Sequence, residues 1–233
     1  LIFKKIKNKI INKKKILFKI IENRSIKILY YLNEEYNNFF DLEIKDDQNN
    51  NLFHYLFNNK YLNIKYVFDI FKYLYEKIPN FLYLTNKNDI SPLHKLTKTE
   101  NINILKIIID LNVDLFECDY LGYNIMHHSI INNNISFIDY FIDKYPNLLL
   151  TKTKFEKKTS LMLCIIKNNL STFNKLIKIN SVNETDLYGN NIYHYIAKYS
   201  RLDFLKNNKN YNYKNNFNIT INDLILEKLL FSL

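Results

Sequence analysis

Four of the five histidines in this 233-residue chain close the same nine-residue frame. His127 ends Asp119-Tyr-Leu-Gly-Tyr-Asn-Ile-Met-His, and His194 ends Asp186-Leu-Tyr-Gly-Asn-Asn-Ile-Tyr-His. His54 closes Asp46-Asp-Gln-Asn-Asn-Asn-Leu-Phe-His, and His94 closes Asn86-Lys-Asn-Asp-Ile-Ser-Pro-Leu-His. The chain's two glycines, Gly122 and Gly189, both take the fourth place of the frame. A fifth, degraded copy runs from Lys154 through Thr159-Ser-Leu-Met162, and the final positions are 40, 33, 35 and 32 residues apart. Units of this size cannot bury a core alone, so the chain must stack them.

Each copy carries the signals of a helix start. Ser91, Thr159, Asn51, Asn124 and Asn191 are N-cap residues, whose side chains accept from the first free amides of a helix. Pro92 follows at the first helical position, where the missing N–H costs nothing. A short first helix is expected to end near Asn133 and Asn168, and near Lys60 or Glu100 in the weaker copies. Asn tolerates the left-handed backbone that such a stop requires. A second helix follows with i, i+3, i+4 periodicity, as in Phe137, Ile138, Phe141 and Ile142. The first full interval is seven residues longer than the next, about two helical turns. Ile64, Val67, Phe68, Phe71, Leu74 and Tyr75 continue the apolar stripe, which places the extra length in that second helix. The loop after it, Pro79 to Thr85, recurs as Pro146 to Thr151.

With this frame, its period and the run Ser91-Pro92-Leu93-His94, the sequence resembles the ankyrin repeat family, whose signature is T-P-L-H-x-A. Asn112-Val113-Asp114 stands where the family has Gly-Ala-Asp. The resemblance covers residues 18–225. Residues 1–17 are a Lys-rich N-terminal segment or capping helix, and residues 226–233 a C-terminal cap. Phe18 to Leu32 reads as a partial first repeat, and Asn218 to Asp223 opens a last half unit in which Asn222 takes an apolar place. The implied fold is an all-α solenoid of stacked helix–turn–helix units with short β-like finger turns. The family's paired small residues become Leu56-Phe57, Ser129-Ile130 and Cys164-Ile165, which should alter the spacing of neighbouring helix pairs.

Composition adds little about activity. A single Ala and 38 Asn, with Lys, Ile and Tyr abundant, reflect a bias of the coding sequence. The net charge of +10 is concentrated: residues 1–19 hold eight Lys and no acid, which leaves 25 of the 33 Lys and Arg against all 23 acids. Two readings of that start stand side by side. Ile2, Phe3, Ile6, Ile10, Leu17, Ile20 and Ile21 share one helical face, as in a basic amphipathic helix that meets nucleic acid or an acidic membrane. The same pattern suits a helix capping the stack with a solvated Lys face. Cys118 and Cys164 form neither a disulfide framework nor a metal-ligand spacing, which suits a cytoplasmic or other reducing intracellular compartment. No eighteen-residue apolar run is present, and Lys interrupts the first residues too often for a signal peptide.

The histidines suggest metal binding, but stacking sets each about 10 Å from the next, too far for a shared ion at about 2 Å. Their expected role is to bridge backbone groups between finger turns. No phosphate-cradling, zinc-protease or nucleophile-elbow motif occurs, so neither catalysis nor a cofactor or metal is expected. In ankyrin proteins, partners meet the concave face of finger tips and first helices. The resemblance therefore implies partner-binding positions at Tyr120, Leu121, Tyr123, Phe155, Glu156, Leu187, Tyr188 and Asn190 on the fingers. Ile131, Asn132, Lys198 and Tyr199 are the first-helix counterparts. Their aromatics are either a hot-spot cluster or a reflection of 19 Tyr in the chain. The implied function is a protein–protein interaction module, a monomer binding a partner protein. A nucleic-acid or membrane adaptor using the Lys-rich start is the first alternative. The second is a substrate receptor for ubiquitin ligation, for which Asn218 to Leu233 is a short and poor match to the F-box-like segment required.

Overall fold

The computed structural model describes residues 13–231 apart from 24, 36–38, 59–63, 100, 180 and 205–212. The calls on Ile2, Phe3, Ile6, Ile10, Lys60 and Glu100 lie outside those residues. Among the described residues every regular element is helical, and the one approach to a strand is an isolated antiparallel bridge between Lys214 and Thr220.

Two compact units divide the chain at Val113. The first holds α1 (Lys13–Glu22), α2 (Ile26–Glu34), α3 (Leu52–Leu56), α4 (Ile64–Lys77), α5 (Pro92–Lys95, continued by a 3-10 turn Leu96–Lys98) and α6 (Ile102–Asp110). The second holds α7 (Ile125–Ile131), α8 (Ile135–Lys144), α9 (Pro146–Leu149), α10 (Ser160–Ile166), α11 (Leu170–Leu176), α12 (Ile192–Lys198) and α13 (Ile221–Phe231). Within each unit first helices pack on first helices, α1 on α3 and α3 on α5, then α7 on α10, α10 on α12 and α12 on α13. The second helices α4, α6, α8 and α11 lie behind them.

The caps read from the sequence form. Asn51, Ser91, Asn124, Thr159 and Asn191 each accept the amide of the third helical residue. Asn101, Asn134 and Asn169 do the same kind of work for the second helices α6, α8 and α11. Asn112, Asn133 and Asn168 stop helices in the left-handed region at φ near +55°. Thus many asparagines that the composition assigns to coding bias hold defined structural positions.

The internal first helices α3, α5, α7, α10 and α12 are buried nearly all round and the second helices on one face, which sets the apolar periodicity of each. In α7, Ile125, Met126, His127, Ser129 and Ile130 are buried, whereas α8 buries Phe137, Ile138 and Phe141 and exposes Asp139, Asp143 and Lys144. α4 has 14 residues against nine in α6 and ten in α8, so much of the long first interval lies in the second helix. The remainder forms the 3-10 turn Pro79–Leu82, whose counterpart is α9. Leu56, Phe57, Ser129, Ile130, Cys164 and Ile165 are all buried, so the larger residues at the small-residue places become core.

At the start of the described chain, α1 buries Leu17, Phe18, Ile20 and Ile21, with Phe18 stacked 4.2 Å from Tyr55. Lys15 and Lys19 face solvent. At the other end Thr220 and Asp223 cap α13 reciprocally: the Thr220 amide donates to Asp223 Oδ2 at 2.7 Å, and the Asp223 amide to Thr220 Oγ1 at 3.1 Å. Asn222 is exposed, so a polar residue is tolerated where the pattern expected an apolar one.

Candidate functional site

Three of the four frame histidines are spent on backbone, while Nδ1 of His94 meets the Ser91 hydroxyl at 2.7 Å. The amides of Asn51, Asn124 and Asn191 donate to Nδ1 of His54, His127 and His194 at 3.1, 3.1 and 3.3 Å. An amide can only donate, so Nδ1 accepts and the proton sits on Nε2. That nitrogen meets the carbonyl of Ile90 at 2.8 Å, Thr151 at 3.2 Å and Ile219 at 3.3 Å, each in the following repeat. Burial holds the imidazoles of His54 and His127 down at about 4, and lowers His194 as well. Met162 stands in for His in the degraded copy; its sulfur accepts the Thr159 amide at 3.4 Å, and it has no N–H to pass on. Across that joint Lys152 Nζ instead reaches the carbonyl of Thr185 at 2.9 Å and pairs with Glu184.

The opening aspartates organise each turn. Asp186 accepts the amides of Tyr188 and Asn190 and the hydroxyl of Tyr195 at 2.8 Å, and Asp46 does the same for Gln48, Asn50 and Tyr55. Asp119 takes the amide of Tyr123 and meets Nε2 of His128 at 2.7 Å. Tyr55, His128 and Tyr195 were not singled out from the sequence. The signal was there, since each follows its Asp by nine residues and its frame histidine by one. In the degraded copy the turn closes from the Thr153 amide to the Lys158 carbonyl, so Thr153 rather than Lys154 opens it and the finger is one residue longer.

Consecutive fingers of residues 114–233 are joined by backbone hydrogen bonds. The Lys154 amide donates to Gly122 O at 2.9 Å, Leu187 to Glu156 O at 2.8 Å and Asn216 to Tyr188 O at 3.0 Å. The side chains at and just before these junctions point outward. Tyr120 is 70% exposed, and Leu121, Phe155, Leu187 and Tyr188 are all exposed. Phe217, absent from the sequence-derived set, is 64% exposed and stacks 6.2 Å from Tyr188. Its finger has lost both Asp and His, which hid it from the frame.

The remaining expected positions divide differently. Tyr123, expected to be exposed, is half-buried, its ring edge-on to His127 and His128 at 6.0 Å. Burial raises its phenol, which lies within electrostatic reach of Lys158, Glu156 and Tyr199. Tyr199 is half-buried and stacks on Tyr195 at 6.2 Å, and Lys198 is exposed beside it. Ile131, Asn132, Glu156 and Asn190 are partly exposed; Asn190 also takes a hydrogen bond from Asn215 at 2.8 Å. Two sets therefore emerge: an outward finger edge and a half-buried inner group around Tyr123.

Left-handed backbone recurs at one place in every finger. Five residues before each closing position the backbone is left-handed: at Gly122 and Gly189, at Asn49, Asp89 and Asn218, and at Lys157 with φ +56°. A side chain costs about 1–2 kcal/mol there, least for Asn. Lys157 is exposed.

No protein-family model and no curated protein matches the chain. Solved structures do. The ankyrin repeat domain of Bcl-3, described as a unique member of the IkappaB protein family, superposes with a TM-score of 0.67 at 14% identity. That match covers 90% of this chain and 95% of that domain. A chain from the complex of the predatory endopeptidase Bd0816 of Bdellovibrio bacteriovorus with immunity protein Bd3460 gives 0.51 at 17% identity, covering 92% of each. Among the described residues no helix is long and apolar enough to cross a membrane.

Proposed function

From a chain that has the ankyrin-type repeat fold, we infer a protein–protein interaction module that holds its partner on the finger edge and the adjoining first-helix surface of residues 114–233. The observation that supports this most is the row of outward apolar side chains, Tyr120, Leu121, Phe155, Leu187 and Tyr188, on turns fixed to one another by backbone hydrogen bonds. Apolar groups held exposed on a rigid frame cost little entropy on binding, and aromatic anchors dominate interface energetics. Glu156, Asn190, Ile131, Asn132, Lys198 and Tyr199 supply the polar and half-buried rim. Tyr123 contributes through the inner group rather than as an exposed anchor. The unpaired Cys118 and Cys164 suit a reducing compartment.

The partner is to be captured on the immobilised protein and identified by mass spectrometry, then titrated by calorimetry against wild type and Tyr120→Ala, Phe155→Ala and Tyr188→Ala. Each substitution should leave the melting curve in place and weaken binding by about 1–3 kcal/mol. Binding undiminished in all three variants overturns the assignment of this surface.

A further inference from the structure

We propose that copies of this chain associate head to tail, the last repeat of one covering the first repeat of the next and so continuing the stacking contact made inside the fold. The closing place of the frame gives the register. Three residues past it stand Phe57, Thr97, Ile130, Ile165 and Ala197, all of them buried. In the last repeat Asp223 holds the closing place, and the corresponding residue is Leu226, which is 57% exposed. The internal helices α10 and α12 each meet a first helix before and after them, whereas α13 packs chiefly on α12. It runs for 11 residues against seven in α12, which brings in Leu230, 73% exposed and four residues on from Leu226 on the same face. Asn222 and Glu227 are exposed on either flank of the two leucines, and the Asp223 carboxylate is turned back to Thr220 at the start of the helix.

The first repeat carries the matching feature. The second helices α6, α8 and α11 bury their third residue, Ile104, Phe137 and Thr172. In α2 that residue is Ile28, which is 49% exposed, and Tyr31 one turn on is exposed as well. α2 packs on α1 and α4 and buries Ile26, Leu29 and Asn33, so Ile28 and Tyr31 lie off its packed side. A terminal repeat stays single by presenting a polar outer face. Here a place that internal repeats cover is apolar and open in both the first and the last unit. What covers such a place within this fold is the helices of the same and adjoining repeats, so a second copy brings the chemistry the face is built for. Tail and head are different surfaces, which makes the contact heterologous and leaves a free head and a free tail at every step.

The test is analytical ultracentrifugation of the full chain from micromolar to millimolar concentration. The wild-type average mass should climb past two chains without a plateau. Leu226→Glu with Leu230→Glu blocks the tail, and Ile28→Glu with Tyr31→Glu blocks the head. Each double variant alone should stay at the single-chain mass of 28.2 kDa with an unchanged melting curve, because all four side chains are exposed. Mixed in equal amounts, the two variants should form one species of two chains and stop there, since each supplies the face the other lacks. Phe155→Ala, on the finger edge, should associate as the wild type does. A wild type that stays at one chain, a mixture that stays monomeric, or a blocked variant that still associates overturns the proposal. Wild-type growth that halts at two chains does so as well, being the mark of a self-matching face, and so does loss of association in Phe155→Ala.

Discussion

Replacing Gly122 by Ala tests whether the fingers are held in register by their backbones. Gly122 sits at φ +81°, and its carbonyl takes the Lys154 amide at 2.9 Å. An added Cβ would stand 2.9 Å from that same nitrogen and 3.1 Å from Lys154 Cα, and closer still to Lys154 Cβ. None of these atoms is the loose end of a side chain, so the fingers must separate. The left-handed torsion costs about 1–2 kcal/mol for an alanine, and stretching the amide–carbonyl bond forfeits about 0.5–1.5 kcal/mol more. The sum, about 2–3 kcal/mol, is a large share of a typical stability of about 5–15 kcal/mol. Urea melts followed by circular dichroism should show the loss in the midpoint with an unchanged slope, and calorimetry a melting temperature lower by about 5–10 °C. Lys157→Gly supplies the torsional part alone with opposite sign. A Gly122→Ala midpoint within about 0.5 kcal/mol of wild type would refute the coupling of the fingers.

Acid should destabilise the protein through its buried histidines. Burial holds His54 and His127 down at about 4 in the fold, against 6.5 for a free imidazole, so the unfolded chain takes up their protons first. Stability should therefore be full above about pH 6.5 and fall as pH drops toward 4, by roughly 3 kcal/mol for each histidine, measured as urea midpoints across pH. His127→Gln should flatten that dependence while lowering stability at neutral pH. Asn168→Ala, at a left-handed stop with φ +56°, should cost about 1 kcal/mol, whereas Asn168→Gly should be near neutral. Phe217→Ala should leave the melting curve unchanged and weaken partner binding, because the ring is exposed and meets mainly Tyr188.

The repeat was legible because its chemistry uses the chain's rarest residues. Gly122, Gly189 and the frame histidines mark turns and bridges that few other residues can make, and the Pro92 and Asn124 starts follow from capping chemistry alone. What escaped notice was written in common residues. Tyr55 and Tyr195 donate to the opening aspartates, yet in a chain with 19 Tyr their spacing carried no contrast. Phe217 stayed hidden because Asn215 replaces the opening Asp and Asp223 the closing His, although Asn215 still accepts the Phe217 and Ile219 amides at 3.0 Å. Tyr123 was misjudged because its position in the frame fixes the backbone, while the ring's direction depends on the two imidazoles it packs against.

The replacement of the frame histidine by Met162 has a consequence for how residues 114–233 open. Where His127 and His194 reach the next repeat, the tie is a buried imidazole bond sheltered from solvent. Beyond Met162 that tie is replaced by Lys152, partly exposed, holding Thr185 and Glu184. Stacked repeats open at their weakest interface, and amide exchange reports the opening repeat by repeat. The joint before Asp186 is thus a breaking point whose strength follows ionic strength. In high salt, amides from Asp186 to Phe231 should exchange as a group ahead of those around His127, and acetylating Lys152 should produce the same order of release without added salt.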